Sequence, residues 1–261
     1  MILICISMDA VFFYNRIPFI YHDYSFFDQL NDSLKINRKF FDKKILITTE
    51  KKIPKNLDID HIEYMECDSL NEVHFNRIKS WLHFCNSKLF TNNSILLDSD
   101  IIFNNDISFL FKNNFAIALN AQKETISPIN AGLILVNHTK KNIIKNHFSK
   151  IFQLGSKIKH LKDQRFPDIE TSGIWGLDEI VLNLYLSNIK KNINLKSFIK
   201  NINTEMIYKF SEEIDIIDQQ FGISYKYCDK KNTASYFGIH FAGNTKLEMK
   251  KYIDKFLKIN L

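Results

Sequence analysis

Short apolar runs recur along the chain: ILICIS (2–7), KILITT (44–49), HIEYMEC (61–67), SILLDSD (94–100), FAIALN (115–120) and AGLILVN (131–137). Their length and their wealth of Ile, Leu and Val predict strands. Between several of them the apolar spacing changes to that of a helix, in LNEVHFNRIKSWLHFCN (70–86) and KKNIIKNHFSKIFQLG (140–155), the second closed by Gly155 as a C-cap. Strands and helices alternating at this spacing imply an α/β fold, a mostly parallel mixed sheet covered by helices on both faces. Ligands of such sheets sit beyond the carboxyl ends of the strands. One strand ends in Asp98-Ser99-Asp100, where two carboxylates emerge from an apolar run.

Composition changes this picture little. The chain has 261 residues, 45% of them apolar, enough for a full core. Four prolines, seven glycines and no Gly/Ser-rich run offer no linker, so residues 1–246 are expected to form one domain, followed by an extension over 247–261. Cys5, Cys67, Cys85 and Cys228 are scattered without a CxxC pair and read as buried thiols of a reducing compartment. The opening MILICISMDAVFF has no basic leader, is interrupted by Asp9, and reads as a first strand of a cytoplasmic protein. The net charge of +6 is carried by dispersed lysine, with Arg16, Arg38, Arg77 and Arg165 as the arginines, a pattern that speaks against nucleic-acid binding. The glycines of dinucleotide and P-loop motifs are missing, so any phosphate must be met by a metal or by basic side chains.

Two carboxylates at a strand end suit a hard divalent cation that bridges a diphosphate, or else a pair of acids capping a turn. Four stretches taken in order decide between these: LLDSDIIF, INAGLILVN, GLDEIVLN and HFAGNTK. Together they resemble the retaining glycosyltransferases of the GT-A fold, and among them family 8, the galactosyl- and glucosyltransferases of bacterial lipooligosaccharide synthesis. The resemblance spans residues 1–246 and implies a Rossmann-like GT-A domain. It implies that Asp98 and Asp100 bind Mn²⁺ or Mg²⁺ against the diphosphate of a nucleotide sugar, with His240 as third protein ligand; imidazole tilts the choice to Mn²⁺. It further implies that Gly243 and Lys246 of the His-x-x-Gly-x-x-Lys spacing meet the phosphates. Asn130, Ala131 and Gly132 would border the sugar, Arg77 would reach the donor from the helix before the strand, and Asp9 would lie at the nucleotide base.

GIWGLDEIVLNLYL opens a helix after two glycines and puts Asp178 and Glu179 at its N-terminus. Lipooligosaccharide-type relatives carry Asp-Gln-Asp-x-Leu-Asn there. Here Glu179 replaces the glutamine and Ile180 the second acid, which resembles instead the blood-group-type retaining galactosyl- and N-acetylgalactosaminyltransferases. That resemblance implies Glu179 as the carboxylate beneath the anomeric carbon and Asp178 as a group that positions the sugar. The expected activity is hexose transfer from a nucleotide sugar, UDP-linked by resemblance, to a glycan or lipid-linked glycan acceptor of a bacterial surface polysaccharide or lipopolysaccharide. The alternatives are a haloacid-dehalogenase-like phosphohydrolase using DxD as nucleophile and acid, and a non-catalytic sugar-nucleotide or glycan-binding module. The loop over 156–176 reads as a lid or acceptor wall or as a surface loop. The tail LEMKKYIDKFLKIN reads as a basic amphipathic helix that packs on the domain by Met249, Tyr252, Ile253, Phe256 and Leu257, or lies against an anionic membrane at its inner face.

Overall fold

The structure, a computed structural model, describes residues 6–15, 25–70, 72–123, 127–160, 176–191, 193–200 and 206–260. In chain order the elements are β1 (Met8–Tyr14), α1 (Phe26–Asn37), β2 (Lys44–Thr48), β3 (His61–Tyr64), α2 (Val73–Asn86), β4 (Asn93–Leu97), β5 (Ile101–Phe103), β6 (Ile117–Ala121) and β7 (Ile129–Val136). There follow α3 (Lys141–Ile158), α4 (Leu177–Ile189), α5 (Leu195–Lys200), β8 (Ile207–Lys209), β9 (Ile214–Ile217), β10 (Ile223–Ser224), β11 (Gly238–His240) and α6 (Lys246–Asn260).

Eight strands form a mixed sheet in the order β3-β2-β1-β4-β7-β6-β9-β8. The β3-β2-β1-β4 half is parallel; β7 enters antiparallel to both β4 and β6. Side chains alternate between two cores, which is why the central strands read as continuous apolar runs. On one face Val11, Leu96, Ile134 and Leu119 pack under α2, α3 and α4. On the other Phe12, Leu97, Leu133 and Ile217 pack with Leu30 and Leu34 of α1. A second sheet of three short strands, β10-β11-β5, carries a smaller cluster of its own.

Two expectations shift. The strand that holds Asp9 runs over 8–14, where Val11 feeds one core while Ala10 and Phe12 feed the other; residues 2–5 of the expected 2–7 run lie outside the described residues. Gly155 does not cap α3, which continues to Ile158; a Cβ on it would stand 3.3 Å from Ile78 and 3.5 Å from Phe75, so the glycine lets α2 and α3 approach closely. The tail is helical as read, and Met249 and Ile253 are buried against Ile36, Ile102, Ile239 and Phe241. That part of the apolar stripe is therefore covered by the protein's own core. The side chains of Phe256 and Leu257, and residues 161–175 of the expected lid, lie outside the described residues. Among the described residues no helix is long and apolar enough to cross a membrane.

Candidate functional site

Two strand pairings assemble the site. Leu97 at the end of β4 faces Leu133 of β7, so the Asp98 N–H donates to the Gly132 carbonyl at 2.9 Å and the Asn130–Gly132 stretch lies beside Asp98. Directly after the aspartates, β5 pairs antiparallel with β11, which sets His240 opposite Ile101, and the Phe241 N–H donates to the Asp100 carbonyl at 2.9 Å. The mid-chain acids and a histidine near the far end of the chain thus meet through backbone hydrogen bonds.

Each carboxylate divides its oxygens between two tasks. Asp98 Oδ1 is 2.6 Å from Arg77 Nη2, and Asp100 Oδ2 is 3.2 Å from Lys246 Nζ. The other oxygens turn inward: Asp98 Oδ2 stands 3.6 Å and Asp100 Oδ1 3.1 Å from His240 Nε2, and the three residues each offer one ligand atom within 4.8 Å of the others. Asp100 Oδ1 is buried and receives no hydrogen bond, since His240 is near but not aimed at it. A buried acceptor without a donor is costly. Two carboxylate oxygens and an imidazole nitrogen converging around such an atom fit a divalent cation, and the nitrogen suits Mn²⁺ better than Mg²⁺.

The charges support one another. Burial pushes the Asp100 carboxyl up, but the Lys246 and His240 charges outweigh it and hold the group well below the usual carboxylate range. Burial pushes His240 down, and Asp100 overcomes this to raise it. Asp100 likewise raises Lys246. Asn130 is buried with its amide engaged at both ends: Oδ1 accepts the Gly132 N–H and Nδ2 meets His240 Nδ1 at 3.0 Å, which orients the imidazole.

Beyond Arg77 stands α4. Gly176, with φ at +74°, turns the chain into the helix, and Asp178 and Glu179 occupy its first turn. Asp178 is not the N-cap. Its Oδ1 accepts the Glu179 N–H at 3.0 Å and meets His74 Nδ1 at 3.0 Å, while its Oδ2 accepts Arg77 Nη1 at 3.1 Å. Burial opposes ionisation, yet His74 and Arg77 bring the Asp178 pKa down to about 2. With both oxygens engaged inside the protein, Asp178 holds Arg77 toward Asp98, and Arg77 Nη2 also donates to the Ala131 carbonyl at 2.7 Å. Glu179 differs: burial and the Asp178 charge push it up to about 7, and it senses the charges of His240, Arg77 and Asp98.

No protein-family model and no curated protein matches the chain. Among solved structures it is similar to the glycosyltransferase GlyE in Streptococcus pneumoniae TIGR4, with a TM-score of 0.52 and 17% identity over 95% of this chain and 60% of that chain. The chain thus spans 60% of that protein's length. It is also similar to a glycosyltransferase involved in the glycosylation of the major capsid of PBCV-1, with a TM-score of 0.49 and 10% identity over 95% of this chain and 99% of that one. The fold is a GT-A-like glycosyltransferase fold.

Of the residues named from the sequence, Asp98, Asp100, Asn130, Ala131, Gly132, His240, Lys246, Arg77 and Asp178 form one contact network, with Glu179 within its field. Gly243 precedes it at φ +58°, and a Cβ there would meet nothing within 4 Å, so the glycine serves the left-handed turn that leads to Lys246. Asp9 stands apart. It lies in β1 opposite Ser94, at the amino end of β4, fully buried, with Asn92 Nδ2 donating to it at 3.3 Å. That register places it at the amino end of the sheet, away from the carboxyl edge where Asp98 and Asp100 stand.

The sequence reading missed His74. It sits one helical turn before Arg77 on α2, and that spacing is the signal that links it to the same face. The network makes one glycine indispensable. A Cβ on Gly132 would fall 2.6 Å from Asp98 Oδ2, 2.7 Å from Asn130 Oδ1 and 3.1 Å from His240 Cε1. Gly132→Ala must therefore push these groups apart, at about 1–3 kcal/mol of stability by the usual cost of overpacking. Manganese affinity should fall together with the melting temperature; an alanine variant that binds manganese as wild type does would refute the convergence.

Proposed function

We propose that the chain is a metal-dependent retaining glycosyltransferase, with residues 1–246 as its catalytic unit, moving a hexose of galactose or glucose type from a UDP-linked donor to a glycan or lipid-linked glycan. The process is bacterial surface polysaccharide or lipopolysaccharide synthesis on the cytoplasmic side, near the membrane. The observation that carries this reading is the convergence of Asp98 Oδ2, Asp100 Oδ1 and His240 Nε2 at the carboxyl edge of the sheet, one Arg77 side chain away from the acidic start of α4. The fold shared with a solved glycosyltransferase agrees with it.

In this reading Asp98, Asp100 and His240 hold a Mn²⁺ or Mg²⁺. When bound, that ion neutralises charge growing on the departing nucleoside diphosphate, a contribution of several kcal/mol in comparable sites. The protein's own residues do the rest. Lys246 offers a point charge to the phosphates at the mouth of the site. Arg77, gripped by Asp98 and Asp178, keeps a fixed positive charge between the metal ligands and α4. Glu179, once ionised, places a carboxylate where positive charge develops at the anomeric carbon, so that the acceptor hydroxyl enters on the face the diphosphate left.

The test is a thermal-shift screen of nucleotide sugars with and without Mn²⁺, followed by NMR of the product from the best donor. The proposal expects a metal-dependent rise in melting temperature with a UDP-hexose and an α-linked product from an α-linked donor. Full transfer in the presence of a chelator, or an inverted anomeric centre, would defeat it.

A further inference from the structure

We infer that this site takes up its divalent cation together with a diphosphate and only weakly alone, and that Lys246 sets this dependence. The inference rests on the metal and diphosphate reading of the site and adds to it a coupling between the two ligands.

The argument is one of charge. Both carboxylates that would ligate a cation already face a cation of the protein: Asp98 faces Arg77 at 2.6 Å and Asp100 faces Lys246 at 3.2 Å. Within that group of four the charges cancel. Asp178 shares Arg77 with Asp98 and meets His74 at 3.0 Å, so it is turned away from the cation position. A bare divalent ion entering among Asp98 Oδ2, Asp100 Oδ1 and His240 Nε2 would bring two positive charges against two ligand carboxylates that each already face a protein cation. It would also sit one carboxylate away from two protein cations. A diphosphate alters the balance, because its anionic oxygens neutralise the ion and supply Lys246 with a new partner.

Lys246 is built to make that exchange. It opens α6, whose Met249 and Ile253 are locked into the core, so its backbone is fixed. Its side chain is 29% exposed against 6% for Asp100, so its head can swing outward while Asp100 stays in place. On its inner side Nζ is also 3.3 Å from Gln29 Oε1 of α1, a neutral acceptor that holds it near Asp100 without binding it tightly. Arg77 cannot leave in the same way. It is clasped by Asp98, Asp178 and the Ala131 carbonyl at once. The lysine is therefore the movable counter-charge and the arginine the fixed one.

The test uses equilibrium dialysis of the full chain, counting manganese in excess on the protein side, first with Mn²⁺ alone and then with inorganic pyrophosphate at matched free Mn²⁺. Wild type should bind manganese at least about 10-fold more tightly with pyrophosphate, within the 5–150-fold range usual for coupled sites. Reciprocity requires the same factor for pyrophosphate binding with and without manganese. Lys246→Met should bind bare Mn²⁺ more tightly than wild type, by about 10-fold, and lose most of the pyrophosphate effect; Lys246→Arg, which keeps the charge, should retain it. A melting curve for each variant shows that it folds. Equal affinity for manganese with and without pyrophosphate in wild type, or bare-manganese affinity unchanged in Lys246→Met, would overturn the inference while leaving the metal site standing. Wild type that binds neither manganese nor its pyrophosphate complex would overturn both.

Discussion

Asp100→Asn is expected to lower sugar transfer by about 10³-fold, the rate equivalent of several kcal/mol of lost metal assistance at about 1.4 kcal/mol per decade. Asparagine keeps the shape of the side chain and removes the charge that His240 and Lys246 both face. It also replaces the inward Oδ1, a buried acceptor with no donor, by a group that binds a hard cation poorly. The fold should survive. Lys246 is partly exposed and can turn to water, so the loss of stability is that of a broken charge-assisted hydrogen bond, about 1–3 kcal/mol. The measurements are initial rates with the donor that gives the largest thermal shift, and manganese binding by dialysis. Turnover and manganese affinity both surviving the substitution would remove Asp100 from the metal site.

Glu179→Gln should have two opposite effects that a purely structural glutamate would not show. The isosteric amide cannot carry negative charge beneath the anomeric carbon, so transfer should fall by about 10²–10⁴-fold, the range seen when one electrostatic or nucleophilic group is removed. Stability should move the other way. In the metal-free protein Glu179 is held up to about 7 by burial and by Asp178, above its ordinary value of 4.5. Below that ordinary value the group is protonated in both folded and unfolded chains and costs nothing. As pH rises toward 7 the unfolded chain ionises first, so folding stability is lost, and above 7 the full penalty stands. Allowing for its partial exposure, that penalty is about 1–3 kcal/mol. The glutamine variant should therefore melt a few degrees higher than wild type at pH 8 and at the same temperature at pH 4. The acidic limb of the wild-type rate profile should fall below 7, because a bound cation favours the carboxylate. An inactive variant with no pH-dependent gain in melting temperature would mean that Glu179 is not the buried, strained acid described here.

Some of this was open to reading in the chain alone. The strands β2, β4, β6 and β7 were visible because each is a continuous apolar run, which is what a strand buried on both faces must be. The same property hid the start of β1. Residues 2–7 and 8–14 are both apolar runs, and periodicity does not separate two such registers. It is the register of β1 against β4 that places Asp9 at the amino end of the sheet. The strands of the small sheet, two or three residues each, are too short to carry any period. Yet it is their pairing that brings His240 to Asp100.

What the sequence determined by itself is the layered α/β architecture and the cast of the candidate site: acids at the end of β4, small residues at the start of β7, the acidic turn of α4, the histidine and glycine before α6 and the lysine that opens it. Those follow from local pattern and residue chemistry. Only the tertiary structure decided how the cast divides its work. It turned one oxygen of each of Asp98 and Asp100 to a protein cation and the other to His240, engaged both oxygens of Asp178 with His74 and Arg77, and left Glu179 with a raised pKa. Charge balance and hydrogen-bond direction depend on partners far apart in the chain, and such partners become neighbours only when the sheet is complete.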